Sequence, residues 1–296
     1  MNQKERGFLL LTCTLGNPER KPLTVAQFRT LASRVNHMGR PVDSRELTEA
    51  DLYALGYDRQ TATRIVVLLS EDELLDRYLY RAAKQNCVPI SRISQQYPLA
   101  VRKRLGLDAP GCLWAKGDLE LLNTQTVSLV GSRDLRASNR NFAKTAGREV
   151  ARQGFTLVSG NARGADRTAQ DACLAAGGKV ISIVADSLEK YPLTKNVLYL
   201  SEDGFDVPFS AARALSRNRT IHSLGYIALI AQSDLGMGGT WDGTVKNLQH
   251  NWSPVFCYGD GSDAAAELSQ LGAKLIDESA LSALTKLQPE MESFLK

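Results

Sequence analysis

Val127-Ser128-Leu129-Val130-Gly131-Ser132-Arg133 and, a helix-length later, Phe155-Thr156-Leu157-Val158-Ser159-Gly160-Asn161-Ala162-Arg163-Gly164-Ala165-Asp166 decide the fold. Each is a short apolar run that stops at glycine, with an arginine just beyond. The interval 138–153 mixes polar and apolar residues over the length of a helix. Strand, crossover helix and parallel strand make a βαβ unit, whose strand C-termini lie together on one sheet edge. Glycines there let backbone N–H groups approach a ligand with no Cβ in the way. Helix N-termini add a partial positive charge, and Arg133 and Arg163 add whole ones. The edge is predicted to hold phosphate.

Outward from this unit the alternation continues. Strands are expected at 180–184, 226–231, 255–258 and 274–276, and helices at 166–176, 218–224, 241–250 and 262–271. That is a doubly wound α/β pattern. Upstream, 22–36, 49–55, 59–69 and 71–85 carry apolar residues at helical spacing, with Thr48 as a cap. Leu55-Gly56-Tyr57 closes a small helical hairpin, either a tight turn or a contact for a nucleic-acid backbone. Phe8 to Leu11 follow Lys4 and Arg6 but are too short for a leader's apolar core, so a first core helix is expected. Residues 89–125 read as irregular apart from a short strand at 112–115. Two domains follow: a helical one with its connector at 1–110, and the sheet domain at 111–296.

Charge is unevenly spread. Residues 1–125 hold 18 Lys and Arg against 14 Asp and Glu, residues 126–219 hold 14 against 9, and residues 220–296 hold 4 against 9. Positive charge therefore surrounds the glycine junctions, pointing to an anionic partner there, with a solvated charged face as the plainer alternative. Five cysteines and three histidines lie scattered with no C-x-x-C pair, which argues against a zinc site or disulfide framework and for a reducing cytoplasm. No apolar run approaches the roughly 18 residues of a membrane span.

Further candidates share the edge. Arg213, Arg217, Asn218 and Arg219 precede the 226–231 strand and suit backbone phosphates. Gly238, Gly239 and Thr240 open the next helix and offer backbone donors. Trp241 either stacks on a base or packs between helix and sheet. The first glycine junction lacks G-x-G-x-x-G, and the second strand ends in Ser159-Gly160 rather than an acidic residue, which disfavours NAD. Asp166 reads as a helix cap that holds the loop for Arg163. No cofactor, metal or catalytic set is expected.

Together these segments resemble the DprA/Smf family of DNA-processing proteins. The resemblance rests on V-G-S-R (130–133), S-G-x-A-R-G-x-D (159–166), A-A-G-G (175–178), Lys190-Tyr191-Pro192 and R-N-R (217–219), with Tyr97-Pro98 and Leu113 to Leu119 like the family's connector. It implies an extended Rossmann-like, mostly parallel sheet behind a helical domain similar to a sterile alpha motif (SAM-like, with a helix hairpin). It also implies binding of single-stranded DNA, delivery to a RecA-type recombinase, roles in transformation or recombination, and a homodimer. On the same basis Arg133, Arg163 and Arg217/Arg219 line the strand pocket, and Lys190 and Tyr191 sit on the loop that meets a nucleotide; Gly131, Ser132, Ser159, Gly160 and Gly164 are phosphate-binding candidates from the two turns themselves. The Gly238 loop departs from the family's serine-rich version, and beyond Ile276 a short acidic tail stands in place of a winged helix. The alternative is a nucleotide-binding Rossmann protein: a small-nucleotide sensor, or a nucleoside-monophosphate hydrolase of the cytokinin-activating type. Such hydrolases have G-G-x-G-T-x-x-E, but Asn247 stands where the carboxylate falls, and an amide cannot stabilise an oxocarbenium-like centre.

Overall fold

Reciprocal caps start the N-terminal helices. In the computed structural model, which describes residues 1–38 and 46–287, α1 (Gln3–Thr12) begins at Asn2, which accepts from Glu5 N while Glu5 accepts from Asn2 N. α2 (Val25–Asn36) and α3 (Glu49–Ala54) repeat this device with Thr24/Gln27 and Thr48/Asp51. Each box satisfies N–H donors that a helix end leaves open. α4 (Arg59–Ser70) is capped by Asp58, and α5 (Asp72–Lys84) follows directly. Phe8, Leu9, Leu10 and Leu11 are fully buried, so that run is the core face of α1.

Beyond α5 the chain builds one sheet. Its elements are β1 (Cys87–Ser91), α6 (Leu99–Leu105), β2 (Cys112–Gly117), β3 (Thr126–Val130), α7 (Ala137–Arg152), β4 (Thr156–Ser159), α8 (Ala165–Ala175), β5 (Lys179–Ile183) and β6 (Val197–Ser201). They continue with α9 (Ala211–Ser216), α10 (Asn218–Leu224), β7 (Ile227–Ile230), α11 (Gly238–His250), β8 (Val255–Tyr258), α12 (Asp263–Gln270) and β9 (Lys274–Ile276). The strand order is β1-β2-β6-β5-β4-β3-β7-β8-β9, antiparallel at β1/β2 and β2/β6 and parallel elsewhere. The doubly wound, Rossmann-like reading holds. β3 is buried at all five positions, as a strand covered on both faces must be.

Two stretches differ from the sequence reading. β1 and α6 lie within or overlap 89–125, which was expected to be irregular; β1 is an edge strand, where Pro89 loses no ladder bond that matters. β6 fills part of 191–209, for which no element was expected, and its five residues are all buried. The sheet therefore begins at Cys87, on the N-terminal side of position 110. α5 is fastened to it by aromatic contacts: the Tyr78 ring lies 5.0 Å from Trp114 and 4.9 Å from Phe205, and its hydroxyl donates to Asp206 Oδ1 at 2.7 Å.

The crossover helices α7 and α8 meet at backbone distance. A Cβ on Gly147 would stand 2.1 Å from the Ala169 carbonyl oxygen, so only glycine lets them pass this closely. Connections from β3 wind one way through β4, β5 and β6, and the chain then returns to place β7 on the other side of β3. That reversal is the topological switch point, where open α/β sheets bind ligands beyond their strand C-termini. Among the described residues no helix is long and apolar enough to cross a membrane.

Candidate nucleic-acid interface

The two glycine turns interlock at this switch point. Ser132 N donates to Gln232 O at 3.0 Å, and Ala165 N donates to Ser132 O at 3.1 Å. A Cβ on Gly131 would lie 2.5 Å from Ala165 Cβ. Gly164 has φ +89°, and a Cβ there would lie 2.4 Å from the carbonyl oxygens of both Ser132 and Arg133. These glycines therefore serve turn-on-turn packing first. The pairing carries Arg163 to the side of Asp134, Nη2 to Oδ1 3.0 Å, with both side chains largely exposed. Arg133 is exposed, and among the described residues it makes no ion pair or side-chain hydrogen bond.

A crevice of about 440 Å³ opens here, walled by Gly131 to Asp134, by Ala162 and Asp166, by Arg217 and Asn218 of the α10 start, and by Gly238 to Thr240. Gly238 has φ +83°, and Met237, which precedes α11, supplies no side-chain cap. The first N–H groups of α11 are thus open, and they carry the positive end of a helix dipole. Asn218 Nδ2 donates to Gly239 O at 2.9 Å and fixes this turn against α10.

Several expected phosphate ligands have internal duties. The Asp166 carboxylate accepts from Gly160 N and Ala162 N, each at 3.1 Å, so the second turn cradles the chain's own anion. The cap reading of Asp166 is corrected in part: it holds the loop, but Gly164 is the N-cap of α8. Burial pushes this carboxyl up, opposed by the Arg217 charge and by the two N–H donors. Burial likewise pulls the Arg217 guanidinium down, opposed by Asp166 and Glu202. Arg217 is buried, donates to Ile183 O at 2.9 Å, and fills the space where a Gly160 Cβ would sit. Gly160 is thus a seat for an arginine. Ser159 is fully buried at the end of β4.

Arg213 spends its donors on Asp203 Oδ2 at 2.7 Å, Ser201 Oγ at 2.8 Å and the carbonyls of Ala185, Val207 and Pro208. It clasps the loop between β6 and α9. Arg219 pairs with Glu202 at 3.2 Å and donates to Ser216 at 2.6 Å, and lines an adjoining crevice of about 1180 Å³ that shares Leu215 and Gly238 with the first and also carries Asp203 and Asp242. The arginine row at 213–219 is therefore split between the loop, the interior and the adjoining crevice. Lys190 pairs with Asp186 at 2.9 Å, and Tyr191 stacks on Tyr199 at 4.8 Å; neither lines the crevice, but Tyr191 has Asn161 of the second turn and Arg217 as neighbours. Trp241 is half-buried and packs against the core. The sequence reading missed Asp134, Asp234 and Gln232. Gln232 donates to Asp134 O at 2.9 Å and accepts from Arg136 N at 3.0 Å, and Q-S-D directly after the β7 run was the available signal.

Three carboxylates line the crevice: Asp166 has Arg217 beside it, Asp134 pairs with Arg163, and Asp234 accepts from Ser132 Oγ at 3.4 Å, while Arg133 lines it with no ion pair among the described residues. The fold defines a Rossmann-like protein with a crevice at the switch point of its sheet. The chain belongs to the DNA recombination-mediator protein A family, whose profile matches residues 89–288. It is 30% identical over 164 residues to the DNA processing protein DprA of Bacillus subtilis (strain 168), covering 52% of this chain and 54% of that one. With the Streptococcus pneumoniae (strain ATCC BAA-255 / R6) DprA it shares 32% over 188 residues, covering 57% and 64%. The matches thus span between half and two thirds of those relatives. The X-ray structure of DprA from Streptococcus pneumoniae superposes with TM-score 0.70 at 23% identity, over 97% of this chain and 98% of that one, a likeness of fold. DNA processing protein A from Helicobacter pylori gives TM-score 0.58 at 27% identity, over 68% of this chain and 96% of that one.

Proposed function

We propose that this chain binds single-stranded DNA in the switch-point crevice and helps load a RecA-type recombinase during DNA processing, acting as a cytoplasmic homodimer. The observation that carries the binding is Arg133, uncommitted at the junction of two interlocked turns and lining one crevice with the uncapped start of α11. A phosphodiester fits both partners: the guanidinium takes its charge and the helix end its oxygens. Leu215 and Met237 are exposed on the crevice wall and offer apolar surface to unstacked bases, which a duplex keeps inside. The Helicobacter pylori relative is described by its single-stranded DNA binding mode, which supports the same reading. Five buried, unpaired cysteines fit a reducing compartment.

The hydrolase alternative finds less support. Asn247 is fully buried and bonded to Ser253 at 2.9 Å and His222 at 3.1 Å, outside the crevice wall. Fluorescence anisotropy with single- and double-stranded oligonucleotides, run beside an assay for free base from AMP, tests the proposal. The single strand is expected to bind more tightly, with steep salt dependence and no base release. Arg133→Ala is expected to weaken it about tenfold, the scale of one charge-assisted contact. Base release without oligonucleotide binding contradicts the proposal.

A further inference from the structure

Arg140, Lys144, Arg148 and Arg152 recur every fourth residue along α7. That spacing sets them in one row, about 6 Å apart along the axis. Arg140, Lys144 and Arg148 are exposed, and among the described residues none makes a side-chain hydrogen bond or ion pair. Arg152 is engaged by Glu149 and the Ser282 carbonyl. Glu149 is the helix's one acidic residue and the Glu278 carboxylate reaches the helix at Thr145, yet among the described residues neither makes an ion pair with Arg140, Lys144 or Arg148. Like charges at i,i+4 destabilise a helix, and a merely solvated face mixes signs to avoid this.

The row begins at the crevice. α7 starts four residues after Arg133, and Arg136 N, just before it, donates to Gln232, whose amide in turn donates to the carbonyl of the crevice residue Asp134. α8 runs alongside at the Gly147–Ala169 contact and opens beside exposed Arg163 and Arg167. We propose that this face of α7 is a track for the sugar–phosphate backbone of the strand leaving the crevice. It rests on the single-strand reading above and extends the contact from one phosphate to several. The 6 Å repeat suits successive phosphates of an extended single strand, and the row's uniform sign selects a polyanion over a protein partner of mixed charge.

Oligothymidylates of about six and about twenty nucleotides distinguish crevice from track. Anisotropy across salt is measured with the wild type and with the triple variant Arg140→Gln/Lys144→Gln/Arg148→Gln. The short strand is expected to bind both equally. The long strand is expected to bind the variant about tenfold more weakly at low salt, its log–log salt slope reduced by about 2, at roughly 0.7 per lost phosphate contact. The single variants Lys144→Gln and Arg148→Gln, which keep most of the surface intact, should each reduce that slope by about 0.7. Unchanged affinity and slope for the long strand overturn the track and leave a solvated face. Equal losses on both lengths also overturn it, because they place the effect in the crevice. A wild type that binds neither strand overturns the single-strand reading, and the track with it.

Discussion

Asp134 holds Arg163 at 3.0 Å where a phosphate would otherwise take that cation. Both side chains are exposed, so the pair is weak and exchangeable. Asp134→Asn is therefore expected to strengthen oligonucleotide binding about threefold at low salt, and the gain should fade as salt rises. Arg163→Ala should lose less affinity than Arg133→Ala, because Arg163 already shares its charge. Asp166 is the opposite case. It is buried, satisfies two N–H groups and faces buried Arg217. Asp166→Ala leaves those donors and that charge uncompensated and should destabilise the fold by about 3–5 kcal/mol in chemical denaturation. The sequence reading took Asp166 for a helix cap and passed over Asp134. It did not distinguish them, because burial is set by the partner turn 30 residues away.

Helix seams carry the next scale of dependence. At the α10–α11 seam His222 is fully buried, its Nδ1 accepting from Asn247 Nδ2 at 3.1 Å, and burial pulls its pKa down to about 4. The unfolded imidazole, with the ordinary value near 6.5, binds the proton first as pH falls. Its stability contribution is thus complete above about pH 6.5 and lost as pH falls toward 4, about 3 kcal/mol in all. Urea denaturation of wild type and His222→Leu between those pH values should show a steeper loss in the wild type. At the α7–α8 seam Gly147→Val sets a side chain against the Ala169 carbonyl, and a loss of about 3 kcal/mol is expected from the shifted helices. Glycine-ended strands such as β3 and β4 were legible because apolar runs and breakers are local signals. β1 was not, since an edge strand containing proline resembles a loop until its partner β2 is known.

Across the whole molecule, the order of strands turns local motifs into a site. The sequence places Gly131, Gly164 and Gly238 far apart, and the reversal of winding at β3 brings all three turns to one crevice. Periodicity foretold the doubly wound sheet. It left open how arginines 213, 217 and 219 divide among loop, interior and a second crevice, because that depends on where α9 and α10 cross the sheet ends. On the proposal above, the interlocked turns present Arg133 and the α11 N-terminus to one strand phosphate. A crystal structure with bound oligothymidylate measures this directly. A phosphate is predicted within hydrogen-bond distance of the Arg133 guanidinium and the N–H groups of Gly239 or Thr240. A strand lying elsewhere, with Arg133 free in solvent, would contradict it.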